Sequence, residues 1–150
     1  MDFNSDIKTI IDYAHYWNWA QDWILLQKIY NEYPDSYSLF TPFAYSYLEE
    51  LIRSTTSEYG IEIVDKNGNP IKRKVGMALI SLAKKENSEN IDYLNKLDEI
   101  SYYFKESTCF DSGDNRNSVD HGYMHPINWT KESFEKLIHD ISKISPFSKF

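Results

Sequence analysis

The sequence holds a single cysteine, Cys109, in 150 residues. That excludes an internal disulfide framework and any zinc site built from several cysteines. No run approaches the roughly 18 apolar residues of a membrane span, so no membrane partner is expected. The N-terminus carries Asp2 and Asp6 and lacks the basic-then-apolar pattern of a secretory leader, which makes the cytoplasm the expected compartment. Positive charge is scarce. Sixteen Lys and Arg face 23 Asp and Glu, a formal net charge of −7. A general electrostatic grip on nucleic acid or anionic lipid is therefore excluded as the main mode, although a local basic site is not. There is no internal repeat, no low-complexity segment and no sign of a second domain.

What the chain has in excess is aromatic surface: 12 Tyr, 8 Phe and 4 Trp. Such a payload speaks against disorder and for a filled core or a large contact surface. A single domain over residues 1–150 is long enough to bury about 70% of its unfolded surface without disulfides or metal.

The apolar spacing is helical through most of the chain. Ile7, Ile10, Ile11, Ala14, Trp17, Ala20, Ile24, Leu25 and Ile29 recur at steps of three and four. They predict one helix of roughly 40 Å, capped by Asn4 or Ser5 and stopped at Pro34. Thr41-Pro42 reads as the start of a second helix that Gly60 closes. Residues 61–75 alternate apolar and polar on either side of Asn67-Gly68, which predicts a small inserted β-hairpin. A third helix is expected from about Val75 to Lys85, burying Ala78, Leu79 and Leu82. A fourth follows a cap at Ser88 or Asn90, with Ile91, Leu94, Leu97, Ile100 and Phe104 inward. Asp114 can cap a short helix that ends at Gly122. The last helix has Thr130 as its cap, Trp129 as a staple onto Phe134, and Pro146 as its stop. The expected fold is all-α: a bundle of about five helices carrying the hairpin at 61–75.

The chemistry concentrates in residues 114–126, Asp-Asn-Arg-Asn-Ser-Val-Asp-His-Gly-Tyr-Met-His-Pro. Asn117 and His121 are four apart and share a helix face, so the amide can orient the imidazole. Arg116 and His121 are five apart, about 140° round an ideal helix. They converge only at a frayed last turn beside Gly122, or across a two-fold axis between two copies. Each residue also has a plainer use. Arg116 and Asp120 can form an i,i+4 surface pair, and His121 can favour the end of a helix through its dipole.

Arg116-Asn117 followed by His121 resembles the R-x4-H signature of the HEPN superfamily, and its place on a late short helix of an all-helical chain fits that pattern. The resemblance implies a HEPN-like bundle and a metal-independent endoribonuclease needing no cofactor. In it the ribose 2′-hydroxyl attacks the adjacent phosphate and leaves a 2′,3′-cyclic phosphate. Carried over, His121 is the general acid or base, Arg116 holds the scissile phosphate, and Asn117 orients one of them. RNA is the implied substrate and a homodimer the implied assembly, in defence, stress or a toxin–antitoxin system. His121-Gly122-Tyr123 is also similar to an R-x4-H-x-Y form found in toxins paired with a nucleotidyltransferase-type antitoxin. There the tyrosine accepts AMP, which makes Tyr123 a candidate modification site against the plainer reading that it packs. His125 is a further site-lining candidate.

Other groups are weaker. Lys72, Arg73 and Lys74 form the best basic cluster, an RNA arm or a charge-guarded edge strand. His121 and His125 have the spacing of a helical metal pair, but Gly122 and Pro126 disturb the helix, and no metal site is assigned. Glu49 and Glu50 sit mid-helix, on a solvated face unless one turns inward. Trp17 fits the core stripe, whereas Trp19 and Trp23 lie partly off it and suggest a dimer surface. Cys109 reads as a packed thiol. The alternative to a nuclease is a non-catalytic HEPN-like binding or scaffold protein working through a protein or nucleotide partner.

Overall fold

A computed structural model describes residues 2–107, 111–122 and 124–150. The expectations for Cys109 and Tyr123 lie outside those residues. The described chain is all-helical, with seven α-helices and no strand: α1 Phe3–Tyr13, α2 Gln21–Glu32, α3 Tyr37–Ser54, α4 Gly76–Glu86, α5 Ile91–Ile100, α6 Arg116–Asp120 and α7 Lys131–Ile144. No helix among the described residues is long and apolar enough to cross a membrane.

The expected first helix is two helices. α1 starts one cap earlier than anticipated, where the Asp2 carboxylate accepts from the Asn4 and Ser5 N–H groups. It ends at Tyr13, because Ala14 and His15 are extended (ψ 146° and 120°). A π-type turn over Tyr16–Ala20 then leads into α2, with the His15 carbonyl accepting from both Trp19 and Ala20. The extra residue in that turn resets the helical phase. The predicted stripe therefore breaks beyond Ala14: Ala20 is still buried, but Trp17 and Leu25 are exposed. Trp17 is 82% exposed, while Trp23 is fully buried. Trp23 stands edge-on to Tyr47 and Phe43, each ring 5.0 Å away, and Trp19 leans on the same two rings. Two of the tryptophans assigned to an outer surface are thus core or core-flanking, and the one assigned to the core faces water.

α3 is the central helix. It begins at Tyr37, not at Thr41, and carries Pro42 inside it. Pro42 lacks the N–H that would bond Ser38's carbonyl, so the second turn of the helix is missing one intrahelical hydrogen bond. Thr41 turns its hydroxyl back to the Tyr37 carbonyl at 2.9 Å instead of capping. The helix stops at Ser54, well before Gly60. α7 lies across α1, α3 and α5, and α3 also packs against α4 and α6. Phe134, Leu137, Ile138 and Ile141 are buried as anticipated, and the Thr130 hydroxyl caps Ser133 N–H at 3.1 Å. Each such apolar side chain contributes about 1.5–3 kcal/mol by leaving water. Asn90 caps α5 through Tyr93 N–H at 3.0 Å, and Tyr93, not Ile91, is the inward residue of its first turn. α4 buries Leu79, Ile80 and Ala83, whereas Ala78 is exposed.

The hairpin reduces to a turn. Residues 61–75 carry one antiparallel bridge, Val64 to Pro70, and form no strand. Gly68 takes the left-handed conformation (φ 83°) that the turn requires. The Asp65 carboxylate accepts the N–H groups of Asn67 and Asn69 at 2.7 and 2.9 Å, competing with a ladder for backbone donors. Ile61, Val64, Ile71 and Val75 are each about half exposed, so no buried face fixes a pairing register. The base of the excursion is held firmly all the same. Arg53 donates to the Lys74 carbonyl at 2.9 Å, Glu58 accepts the Lys74 N–H at 2.8 Å, and Glu49 accepts the Gly76 N–H at 2.8 Å.

Candidate functional site

α6 is only five residues long and depends on its cap. The cap is Asn115, not Asp114. Its side-chain oxygen accepts from Asn117 and Ser118 N–H at 2.9 and 3.2 Å, and its amide donates to the Lys105 carbonyl at 3.0 Å. Ser118 and Val119 are buried, and the Ser118 hydroxyl donates to Asp111. Gly122, at φ 65°, ends the helix just past His121. The inward pair Ser118 and Val119 pins α6 against the bundle and leaves the motif residues along its rim.

Arg116 reaches inward to α3. Its Nη2 donates to Glu49 Oε2 at 2.8 Å, its Nη1 donates to Asn117 Oδ1 at 3.3 Å, and its Nε lies 2.9 Å from Asp120 Oδ2. The contact with Asp120 is one of charge and not a hydrogen bond, because Nε–H is buried and has no aligned acceptor among the described residues. Glu49 is 7% exposed and fully engaged, since its other oxygen holds the Gly76 N–H. Asp120 accepts no hydrogen bond among the described residues. Burial pushes its carboxyl above the ordinary value, and the Glu49 charge adds to the rise; Arg116 and His121 offset only part of it.

The structure therefore joins Arg116 to Asn117 and to Asp120, the i,i+4 pair legible in the sequence. It does not join Asn117 to His121 through their side chains. The Asn117 amide donates to the Lys105 carbonyl at 3.2 Å instead. His121 sits at the C-cap, exposed, with its backbone N–H on the Asn117 carbonyl at 3.1 Å and no side-chain hydrogen bond among the described residues. His125 is exposed at the start of a 3-10 turn over Pro126–Asn128. In the basic cluster, Lys74 pairs with Glu58 at 3.0 Å and Arg73 donates to the Ile61 carbonyl, which leaves Lys72 extended into solvent.

Glu49 is the site residue that sequence reasoning left open. Its neighbours Tyr45, Leu48 and Ile52 all face the core, and a carboxylate on that face needs a cation. Another polar cluster was not anticipated at all. Asp6 accepts from Ser142 Oγ at 2.6 Å and lies 3.0 Å from His139 Nδ1, tying α1 to α7. These are the residue types of a hydrolase triad in the wrong order. Both contacts end on the carboxylate, and nothing among the described residues links Ser142 Oγ to the imidazole. The cavities open at the surface include an apolar groove of about 340 Å³ between α2 and α3, lined by Leu25, Ile29 and Phe40, and one of about 210 Å³ beside Tyr102, Ser133 and Lys136. Neither includes Arg116, Asn117 or His121. No group of three or more His, Cys, Asp or Glu among the described residues is placed to hold a metal ion.

Comparison of the chain with family models, with curated proteins and with solved structures finds no match.

Proposed function

We propose that this chain is a HEPN-like, metal-independent endoribonuclease acting as a homodimer, with His121 as proton carrier and Arg116 as phosphate-binding group. The observation that supports it best is the layout of α6. Arg116 and Asn117 touch at its start, and His121 stands at its end, exposed and without a side-chain bond among the described residues. A proton-carrying imidazole and a phosphate-binding guanidinium, brought to one cleft, are what transesterification of RNA asks of the protein. The 2′-oxygen bonds to phosphorus as its proton passes to an imidazole. The phosphorus–O5′ bond breaks, and the 5′-oxygen takes up a proton. The products are a 2′,3′-cyclic phosphate and a 5′-hydroxyl. Arg116 and His121 are five residues apart, about 140° round an ideal helix, so in this reading a second copy brings the complementary residue to each cleft.

A different reading is favoured by one specific observation: both carboxylates around Arg116 occupy it. In that reading the chain is a non-catalytic HEPN-like partner protein. RNA incubated with the pure protein in EDTA separates the two. The nuclease reading expects cyclic-phosphate ends, with loss of cleavage in His121→Ala and Arg116→Ala proteins that remain folded. Cleavage undiminished in both variants defeats the site assignment. Absence of cleavage across several RNAs supports the partner reading, and a strict monomer at micromolar concentration defeats the shared cleft.

A further inference from the structure

Two carboxylates share the Arg116 guanidinium, and they are held in different ways. Glu49 accepts one bond from Arg116 and one from the Gly76 N–H, both at 2.8 Å, on the central helix of the bundle. It is built in. Asp120 sits on the last turn of a five-residue helix, accepts no hydrogen bond among the described residues, and meets Arg116 by charge alone at 2.9 Å. The Nε–H that Asp120 faces is buried and has no hydrogen bond among the described residues. An orphaned charged donor of this kind carries a desolvation cost that an aligned anion relieves.

The charges point the same way. One cation faces two anions, so Glu49 repels Asp120 wherever both are ionised. An Arg fork takes phosphate oxygens as readily as carboxylate oxygens. Exchanging Asp120 for a phosphodiester swaps one unit negative charge for another and gives the Nε–H an acceptor. Asp120 stands at the end of the helix with its side chain 20% exposed, so its carboxylate already borders solvent.

We propose that Asp120 is a displaceable internal anion that covers the Arg116 site, and that the site takes a phosphodiester when Asp120 swings away, with Glu49 remaining as the fixed anchor. This deepens the nuclease reading and rests on its assignment of Arg116 as the phosphate-binding group.

The test separates binding from cleavage. A deoxydinucleotide with one phosphodiester, which has no 2′-hydroxyl and is not cleaved, is titrated into wild-type protein and into Asp120→Asn. The Arg116 Nε–H resonance is followed by NMR. The expected result is a gain in affinity of about tenfold in Asp120→Asn, with the Arg116 Nε–H resonance moving on binding. Asp120→Ser gives the same reading if asparagine disturbs the helix end. Asp114→Asn makes the same charge change on the neighbouring loop and is expected to give a much smaller gain. Equal affinity in wild type and both Asp120 variants overturns the proposal. So does a gain with no movement of the Arg116 resonance, or an equal gain in Asp114→Asn. Cleavage assays then tell the two ideas apart. Cleavage that depends on His121, with no binding gain in Asp120→Asn, keeps the nuclease and removes the gate. A binding gain in a protein that cleaves no RNA keeps the anion site and removes the nuclease.

Discussion

Two polar clusters of this bundle, at Asp6 and at Arg116, are opposites. At Asp6, one carboxylate gathers donors from His139 and Ser142, and the arrangement clamps α1 to α7. At Arg116, one cation gathers two carboxylates, and a donor is left over. The Asp6 cluster has the residue names of a catalytic triad and the geometry of a lock. The Arg116 cluster reads in sequence as a surface pair beside a motif, yet it has surplus charge and an unused donor. Residue types alone mislead in both places; what separates lock from site is whether the donors and acceptors balance.

The largest expected effect comes from Glu49→Ala. It leaves Arg116 buried beside an unaligned Asp120 and frees the Gly76 N–H, and removing one partner of a buried pair costs about 3–5 kcal/mol. Urea unfolding measures it, and a loss below about 1 kcal/mol would show that Glu49 is not the anchor. Asp6→Ala removes an acceptor from two donors near the surface. It is expected to cost about 1–3 kcal/mol in the same assay and to leave any anion binding at Arg116 untouched.

Acid sharpens the contrast through a further carboxylate, that of Glu58. Burial raises the Glu58 carboxyl, but the Lys74 N–H and ammonium outweigh that and leave it below its ordinary 4.5. Its contribution to stability is therefore present above pH 4.5 and lost as pH falls through the lowered folded value. Glu58→Gln is expected to be less stable than wild type at neutral pH, with the two unfolding midpoints converging in acid. Asp120 runs the other way. Its raised carboxyl means that ionisation weighs against the folded state once pH rises through the folded value. The smallest expected effect is that of Asp120→Asn on stability. It is near zero at the acid end and shifts in the variant's favour as pH rises, read from midpoints at several pH values. A variant that loses ground on raising the pH would make Asp120 a true partner of Arg116.

Much of the fold was legible. The all-helical class, the Thr130 cap, the inward face of α7 and the Asn90 cap follow from spacing and capping chemistry. The phase of the tryptophans was not, because it hangs on two extended residues and one π-type turn at 14–20, for which the sequence carries no proline or glycine signal. The hairpin stops at one bridge for a reason that lies in the same residues: the Asp65 carboxylate takes the Asn67 and Asn69 N–H groups. At the site, spacing gave the Arg116–Asp120 contact. It could not give Glu49, which lies 67 residues from Arg116 in sequence.

The stitched base of the 61–75 excursion has a consequence for how the chain can be divided. Its tip at Asn67-Gly68 is exposed and makes only local bonds, whereas its foot is fastened through Glu49, Arg53 and Glu58. A protein opened between residues 67 and 68 would consist of two pieces, one carrying α1–α3 and the other α4–α7. The foot contacts and the shared core would still reach across the gap. Those pieces are expected to find each other again, which makes this tip the natural seam for a split version of the molecule.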